Sequence, residues 1–199
     1  MEQDPATIRP ATPADLDAVG EIYAHYVMHT TITFELRVPD RHEWSARYRA
    51  ITETGLPFLV AELDGRIAGY AYCARWKSRP AYRHTAEDSI YLAPWALGRG
   101  LGRALLAELL RVSPVAGVRE LIAVVADTGE PASLRLHERL GFAEVGRLRR
   151  VGYKHDRWLD TVLLQCSLSA DGGDPLSHPA PQPADGTDGM PTPSASESP

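Results

Sequence analysis

The chain has 199 residues, of which 44% are hydrophobic and 24% charged, a composition that is ordinary for one globular domain with a short appendage. Its formal net charge of −5 excludes the strong basic excess of a nucleic-acid-binding domain, since acids and bases balance before residue 170. No apolar run approaches the ~18 residues that cross a membrane. We therefore expect neither a nucleic acid nor a membrane as partner.

Short strands and amphipathic helices alternate along residues 7–168. Thr12, Pro13 and Asp15 are typical of a helix start, and Asp64-Gly65 favours a tight hairpin turn because both residues tolerate positive φ. The predicted strands cover residues 8–10, 58–63, 67–73, 89–92, 121–125, 145–151 and 159–166. The predicted helices begin at Thr12 and Asp40 and cover residues 101–112 and 132–140. Early paired helices and late paired strands predict an α/β protein with a mixed sheet (α+β) and not a pure βαβ repeat.

Residues 170–199 have a different composition from the rest of the chain. They hold seven of the 16 prolines and four of the 16 glycines, with no aromatic residue. Such a segment cannot bury enough apolar surface to offset its ordering entropy, so we predict a disordered acidic tail after a domain at 7–168.

The two cysteines, Cys73 and Cys166, stand alone in apolar, strand-like runs. This pattern indicates buried free thiols in a reducing compartment, because a zinc site needs closer paired ligands. We therefore expect no metal. The acidic, polar start MEQDPAT is unlike a signal peptide, and a cytoplasmic location is expected.

The sequence of residues 89–106 predicts a strand, a glycine-rich loop and a helix, with Gly98, Gly100 and Gly102 where the loop and the helix meet. Glycines let a backbone approach a ligand closely, and the first turn of a helix offers unpaired N–H groups that bind phosphate. No Lys-Ser/Thr follows, so this is not a Walker loop, and Arg103 stands where a dinucleotide fingerprint needs Gly or Ala. From these residues alone, a glycine-rich turn with a purely structural role remains an alternative to a phosphate-binding loop.

The loop resembles the acyl-CoA loop of the GNAT N-acetyltransferases, Arg/Gln-x-x-Gly-x-Gly/Ala, with Gly100 and Gly102 at its two small positions. Residues 8–15 and 136–142 resemble the family's opening strand and helix and its second CoA-side helix. Within the family, four blocks in order are similar to phosphinothricin and methionine sulfone/sulfoximine acetyltransferases. These blocks are Trp76-Lys77, Ala81-Tyr82, Thr85-Ala86-Glu87 and residues 151–155 with Trp158. The resemblance covers about residues 8–168 and implies the GNAT fold, with two central strands that splay apart, acetyl-CoA as co-substrate and a homodimer.

The resemblance also implies which residues hold the cofactor. The strand residues Ile90, Tyr91 and Leu92 would bind the pantetheine arm, and the Leu92 amide would polarise the thioester carbonyl. The backbone at Gly98, Arg99, Gly100, Leu101, Gly102 and Arg103 would bind the pyrophosphate. Two positions depart from the family pattern. Leu97 replaces its Arg or Gln, and Glu130 replaces an Asn that contacts pantetheine, although a carboxylate cannot donate as an amide does.

Glu87 matches the subfamily's general base, since the attacking amine must lose a proton. His137 stands where many relatives carry the Tyr that protonates the thiolate, and an imidazole can act there as acid or relay. A solvated carboxylate and a core histidine are the alternatives. For the acceptor's anionic groups the resemblance indicates a set of basic and aromatic side chains, for which a solvated basic loop is the alternative. This set is Phe34, Arg75, Lys77, Arg79 and Tyr82, with His84 as a further candidate to line the site.

The predicted activity is direct transfer of acetyl from acetyl-CoA to the α-amine of a small amino-acid analogue. Two alternatives stay open. One is a transferase of the same fold for protein N-termini, polyamines or aminoglycosides, and the other is a non-catalytic acetyl-CoA-binding domain.

Overall fold

A computed structural model describes residues 6–129 and 131–168, so Glu130 and the predicted tail at 170–199 lie outside the described residues. The strands are β1 (Thr7–Pro10), β2 (Phe58–Leu63), β3 (Arg66–Arg75), β4 (Thr85–Leu92), β5 (Glu120–Asp127), β6 (Ala143–Lys154) and β7 (Arg157–Ser167). The helices are α1 (Leu16–His29), α2 (Arg41–Thr52), α3 (Leu101–Val112) and α4 (Ala132–Glu138). No helix within these described ranges has the length and apolar character needed to span a bilayer.

The seven strands form one sheet in the order β1-β2-β3-β4-β5-β7-β6. The β4–β5 pair is parallel and every other pairing is antiparallel, which confirms the predicted mixed sheet. The predicted hairpin turn at Asp64-Gly65 is also confirmed, with φ of 50° and 71°.

A hydrophobic core lies on each face of the sheet. On one face, α1 and α2 bury Val19, Tyr23 and Trp44 against Val60 and Tyr70 of the sheet. On the other face, α3 buries its leucine stripe against β2 and β3. The stripe consists of Leu105, Leu106 and Leu109, each of them fully buried. At about 1.5–3 kcal/mol for each buried leucine, this stripe fixes α3 firmly against the sheet.

The first helix is anchored through a partly buried ion pair. A 3-10 turn at Pro13–Asp15 precedes α1, and Asp15 accepts from the Thr12 N–H at 2.7 Å. The Arg9 guanidinium donates to both oxygens of Asp15, at 2.9 and 2.8 Å. The hydrogen bond from Arg9 is the main cause that lowers the pKa of Asp15 to about 2, since it favours the charged form against burial.

Candidate functional site

The sheet opens between its two central strands. β4 and β5 are paired only from Thr85↔Glu120 to Glu87↔Ile122. Beyond that point β4 stays paired with β3 up to Leu92, while β5 stays paired with β7 up to Asp127. The two central strands therefore splay apart, as predicted, and they do so directly after Glu87, which leaves the β4 edge at residues 88–92 unpaired on the β5 side.

The start of α3 lies beside this opening. Gly98 and Gly100 have φ of 74° and 78°, a left-handed conformation that strains any residue with a side chain. Gly100 caps the helix, and its carbonyl accepts the first helical hydrogen bond, from Ala104 at 3.1 Å. The amides of residues 101–103 have no partner within the helix, because the first turn never does. The loop therefore presents a row of main-chain donors.

Gly102 explains how closely α3 approaches its neighbours. A Cβ on Gly102 would lie 3.4 Å from Leu136 of α4 and 3.6 Å from Leu92 of β4. Of the other predicted cofactor residues here, Leu101 buries its side chain, whereas Arg99 and Arg103 extend into solvent. The predicted loop residues and the end of β4 are thus brought together around one opening.

The end of β4 is held in place from several sides. The Tyr26 hydroxyl donates to the Leu92 carbonyl, and the Ala93 N–H donates to Ala68 O at 2.8 Å. The Tyr91 ring packs edge-on against Tyr23 with ring centroids 5.0 Å apart. Tyr91 therefore belongs to the aromatic core by its side chain and can meet a cofactor only through its backbone.

Alternation along β4 sends Glu87 and Asp88 to opposite faces of the sheet. Glu87 shares its face with Ser89 and Tyr91, towards α1 and α2. Its carboxylate is half-buried and forms no ion pair within the described residues. Burial, with a smaller contribution from the charge of Asp88, raises the pKa of Glu87. A half-buried carboxylate with a raised pKa at such an opening is a candidate functional group.

His137 lies on the other face, on the buried side of α4, and it pairs with Asp88. Its Nε2 is 3.1 Å from Asp88 Oδ2 and its Nδ1 is 2.8 Å from Ser133 O. Burial lowers the pKa of the imidazole, but the hydrogen bond and charge of Asp88 outweigh burial and the pKa of His137 is raised. The Phe142 ring meets the imidazole edge-on with centroids 4.9 Å apart. The sequence motifs gave no sign of this pairing, because Asp88 and His137 are 49 residues apart in the chain.

The loop between β3 and β4 gathers three of the predicted acceptor residues. Lys77, Arg79 and Tyr82 line a pocket of about 420 Å³ together with Ser78. The Lys77 ammonium lies 5.7 Å from the centre of the Tyr82 ring. Arg75 does not line this pocket and is exposed at the end of β3. The pocket combines positive charge with hydrogen-bond donors, as binding of an anionic group requires.

Phe34 comes from a different loop, which β6 holds in place. The Phe34 ring covers Gly152, where an added Cβ would lie 2.4 Å from ring atom Cε2. The buried Lys154 ammonium donates to Thr33 O at 2.9 Å, and the Tyr23 and Thr33 hydroxyls are 2.6 Å apart. Lys154 therefore supports the loop that carries Phe34. It belongs to the family block at residues 151–155, but the sequence did not indicate this role.

His84 does not line the pocket formed by Lys77, Arg79 and Tyr82. Its Nδ1 donates to Gly117 O at 2.8 Å, so it ties the loop before β4 to the turn that follows α3. Within the described residues, no group of three or more His, Cys, Asp or Glu side chains is placed to hold a metal ion.

Comparisons with known proteins agree with this architecture. A family model described as an acetyltransferase (GNAT) domain matches residues 8–163. A phosphinothricin N-acetyltransferase of Alcaligenes faecalis is 48% identical over 164 residues, which cover 82% of this chain and 83% of that protein. An L-methionine sulfoximine/L-methionine sulfone acetyltransferase of Salmonella typhimurium is 39% identical over 162 residues, covering 81% and 94%.

A solved structure shares the fold. The phosphinothricin acetyltransferase of Sinorhizobium meliloti, in complex with acetyl-CoA, has a TM-score of 0.79 at 41% identity and covers 91% of this chain and 94% of that one. The chain therefore belongs to the GNAT N-acetyltransferases, in the group that includes the phosphinothricin and methionine sulfoximine/sulfone acetyltransferases.

Proposed function

We propose that this enzyme transfers the acetyl group of acetyl-CoA to the α-amine of a small amino-acid analogue such as phosphinothricin, methionine sulfone or methionine sulfoximine. The opening of the sheet at Glu87, beside the glycine loop that starts α3, carries the proposal. The left-handed glycines and the close approach at Gly102 fit a bound pyrophosphate, because they bring main-chain donors to the surface without side chains in the way.

Glu87 acts as the general base. An ammonium has no lone pair, so Glu87 removes a proton from the amine before or during its attack on the thioester carbon. Its raised pKa brings it closer to neutrality, where a base is both ionised and able to hold a proton. The Leu92 amide polarises the thioester carbonyl and meets the negative charge that develops on its oxygen. The hydrogen bonds around Leu92 and Ala93 support this role, because they fix the backbone at that point.

The acceptor and the cofactor approach from different faces. Glu87 faces α1 and α2, so the amine would enter there, while His137 lies on the α3 and α4 face, where Ser133 and Asp88 engage both of its ring nitrogens. Lys77, Arg79 and Tyr82 bind the acceptor's anionic groups. Arg75 adds positive charge nearby, and the Phe34 ring bounds the acceptor's side chain.

The substrate class is tested by CoA release with phosphinothricin, methionine sulfone, methionine sulfoximine, a peptide amine, a polyamine and an aminoglycoside. Turnover of the amino-acid analogues is expected. Turnover confined to one of the other three amines would replace the proposed substrate class. Tight acetyl-CoA binding by calorimetry without any transfer would favour a non-catalytic binding domain.

The base is tested with Glu87→Gln, with the exposed Glu53→Gln at the end of α2 as its control. A base must be ionised, so the wild-type rate falls as the pH drops through the pKa of Glu87, above the ordinary value of 4.5. In Glu87→Gln we expect kcat/KM to fall by roughly 10²–10⁴ and this acidic limb to disappear. A variant with wild-type rates and an unchanged limb removes the assignment.

A second copy of the chain is the expected partner. β6 is the last strand of the sheet, and together β6 and β7 expose a set of large apolar side chains. This set consists of Val145, Leu148, Val151, Tyr153 and Trp158, each about half exposed. A long edge strand with such a face favours association, and light scattering should give the mass of two chains. A mass of one chain at assay concentration would reject the homodimer.

A further inference from the structure

The loop between β3 and β4, which carries the candidate acceptor pocket, is strongly basic and exposed. Four bases lie within its residues 75–83, and between Asp64 and Glu87 the sequence holds no acid. A fifth base follows the turn after α3 and lies next to this loop. We call the five side chains the basic surface. Its members are Arg75, Lys77, Arg79, Arg83 and Arg119, all of them exposed.

No carboxylate of the described residues balances this charge, since none of the five bases forms an ion pair there. The Lys77 ammonium lies 5.4 and 5.7 Å from the ring centres of Trp76 and Tyr82, and the Arg119 guanidinium donates to two main-chain carbonyls. Glu120, the acid at the start of β5, accepts from two side chains of β7. Because like charges that lie close together repel, the basic surface favours an anionic partner.

The chain leaves the sheet beside this surface. The N–H of Leu168, the last described residue, donates to Arg119 O at 2.8 Å. The N–H of Arg119 in turn donates to His84 O, also at 2.8 Å. Leu168 therefore lies two strand spacings, or roughly 10 Å, from the end of the basic loop. The sequence continues from this point to residue 199.

The acidic tail, residues 170–199, carries the opposite charge and no Lys or Arg. Its acids are Asp171, Asp174, Asp185, Asp188 and Glu197. A chain spans at most about 3.3–3.6 Å per residue, so Asp171 can lie up to about 10 Å from Leu168 and Asp174 up to about 20 Å. The first two acids can thus reach the basic surface.

The other places where charge could be matched are further away. The acidic residues Glu2 and Asp4 precede β1, and β1 pairs with β2 beside the Asp64-Gly65 turn, at the opposite end of β3 from Arg75. The cofactor loop at 98–103 also carries bases, but the length of β4, roughly 25 Å, separates it from the start of the tail. The tail and the basic surface are therefore the pair of opposite charges that the sheet places side by side.

We propose that the acidic tail binds the basic surface of its own chain and competes with anionic acceptors for the pocket of Lys77, Arg79 and Tyr82. This inference rests on the proposed function, which assigns that pocket to the acceptor. Ion pairs between exposed side chains are weak, but a short tether holds the partner at an effective concentration on the order of mM. An acceptor must displace the tail, so the tail raises the acceptor KM and leaves kcat unchanged.

Carbodiimide cross-linking of the full-length protein tests the contact without turnover. The reagent joins a carboxylate to an amine that it touches, and the sequence has two lysines, Lys77 and Lys154. Lys154 is 3% exposed and its ammonium donates to Thr33 O, so Lys77 is the lysine open to reaction. Mass spectrometry of the digested protein should find Lys77 joined to the tail, chiefly at Asp171 or Asp174. In 1 M salt, where screening acts within about 3 Å, this product should be lost.

A mixture of chains with natural and heavy nitrogen separates contacts within one chain from contacts between chains. Cross-linked peptides that are wholly light or wholly heavy support the proposal. Products that are mixed at the frequency expected for random pairing would place the tail on another copy and overturn it. The proposal is also overturned if Lys77 forms no link to the tail at low salt. This result needs no turnover, so it stands apart from any failure of the proposed activity.

Kinetics of the double variant Asp171→Asn, Asp174→Asn measure the competition, because these acids are tethered closest to the surface. At low salt the acceptor KM should fall about 2- to 10-fold, while kcat and the KM for acetyl-CoA stay at their wild-type values. In 1 M salt the two proteins should have equal acceptor KM values. The matched control is the double variant Asp64→Asn, Asp156→Asn, which removes two exposed charges from turns and should keep the wild-type acceptor KM. An unchanged acceptor KM in the tail variant, or an equal fall in the control, would overturn the competition even where the cross-link forms.

Discussion

Replacing Gly152 with Ala should weaken binding of the acceptor and leave acetyl-CoA binding unchanged. A Cβ at this position would lie 2.4, 2.7 and 2.9 Å from three atoms of the Phe34 ring. Contacts this short are not tolerated, so the ring must move. It can do so because the atoms concerned are at the far end of a side chain that is already 39% exposed. The substitution thus displaces Phe34 while the ring itself remains present.

The size of the effect follows from what the ring contributes. An aromatic contact adds about 0.5–1.5 kcal/mol beyond its buried area, which corresponds to a rise of roughly 2- to 12-fold in the acceptor KM. The free energy of unfolding should change by less than about 1 kcal/mol, since the entropic gain of Ala over Gly in a strand opposes the lost packing.

Gly146→Ala on the same strand is the matched control. The nearest atom to a Cβ there is Leu163 Cδ1 at 4.0 Å, so the same change in backbone entropy occurs without a collision. Initial rates with each substrate varied in turn give both KM values for the two variants. An unchanged acceptor KM in Gly152→Ala, or an equal rise in Gly146→Ala, would refute the placement of Phe34 beside the acceptor.

Two further predictions concern the cofactor loop and the first helix. Gly100→Ala should raise the Kd for acetyl-CoA, because a φ of 78° strains Ala by about 1–2 kcal/mol and so distorts the loop. Gly55→Ala, after α2 with a φ of 76°, is the control and should lose similar stability but keep its affinity for acetyl-CoA. Calorimetry measures the Kd of both variants, and equal Kd values would contradict the prediction. Asp15→Asn should lower the free energy of unfolding by roughly 2 kcal/mol at pH 7, because the pKa of Asp15 is depressed to about 2 in the folded state. This stabilisation is present above the unfolded pKa of Asp15 and is lost as the pH falls from about 4 to 2. Urea unfolding should therefore give free energies of unfolding for wild type and Asp15→Asn that become equal in acid. A difference that stays constant with pH would contradict a stabilising Arg9–Asp15 pair.

Elements were predictable from the sequence where neighbouring residues alone determine the structure. The helix at 101–112 was predicted at its observed bounds because its leucines recur at helical spacing and a glycine loop precedes it. The turn at Asp64-Gly65 was predictable because glycine is the residue that most readily adopts positive φ. The turn between β6 and β7 has the same backbone at His155 and Asp156, with φ of 49° and 56°, but no glycine marks it.

Strand lengths were predicted less well, for two physical reasons. β4 was predicted to begin at residue 89 but begins at Thr85, because the polar residues Glu87 and Asp88 lack the apolar, β-branched character that marks a strand in the sequence. β6 was predicted at 145–151 but covers Ala143–Lys154, because register shifts between Glu144 and Gly146 and between Leu148 and Gly152 interrupt its alternation. The insertion of β7 between β5 and β6 is a long-range pairing that no local pattern encodes.

The candidate site depends on the register of β4 more than on any single side chain. Successive residues of a strand face opposite sides, so Glu87 serves the α1 and α2 face only while Asp88 serves His137 on the other. The pairs Ala74↔Glu87 and Cys73↔Asp88 with β3 fix this register, and the end of the β5 pairing places both residues at the opening. A slip of one residue would exchange the two carboxylates between the faces, turning Asp88 towards α1 and α2 and Glu87 towards His137. Both side chains carry a carboxylate, so the partners they meet follow from the face each one reaches and not from residue type, which is why the motif alone could not reveal the pairing of Asp88 with His137.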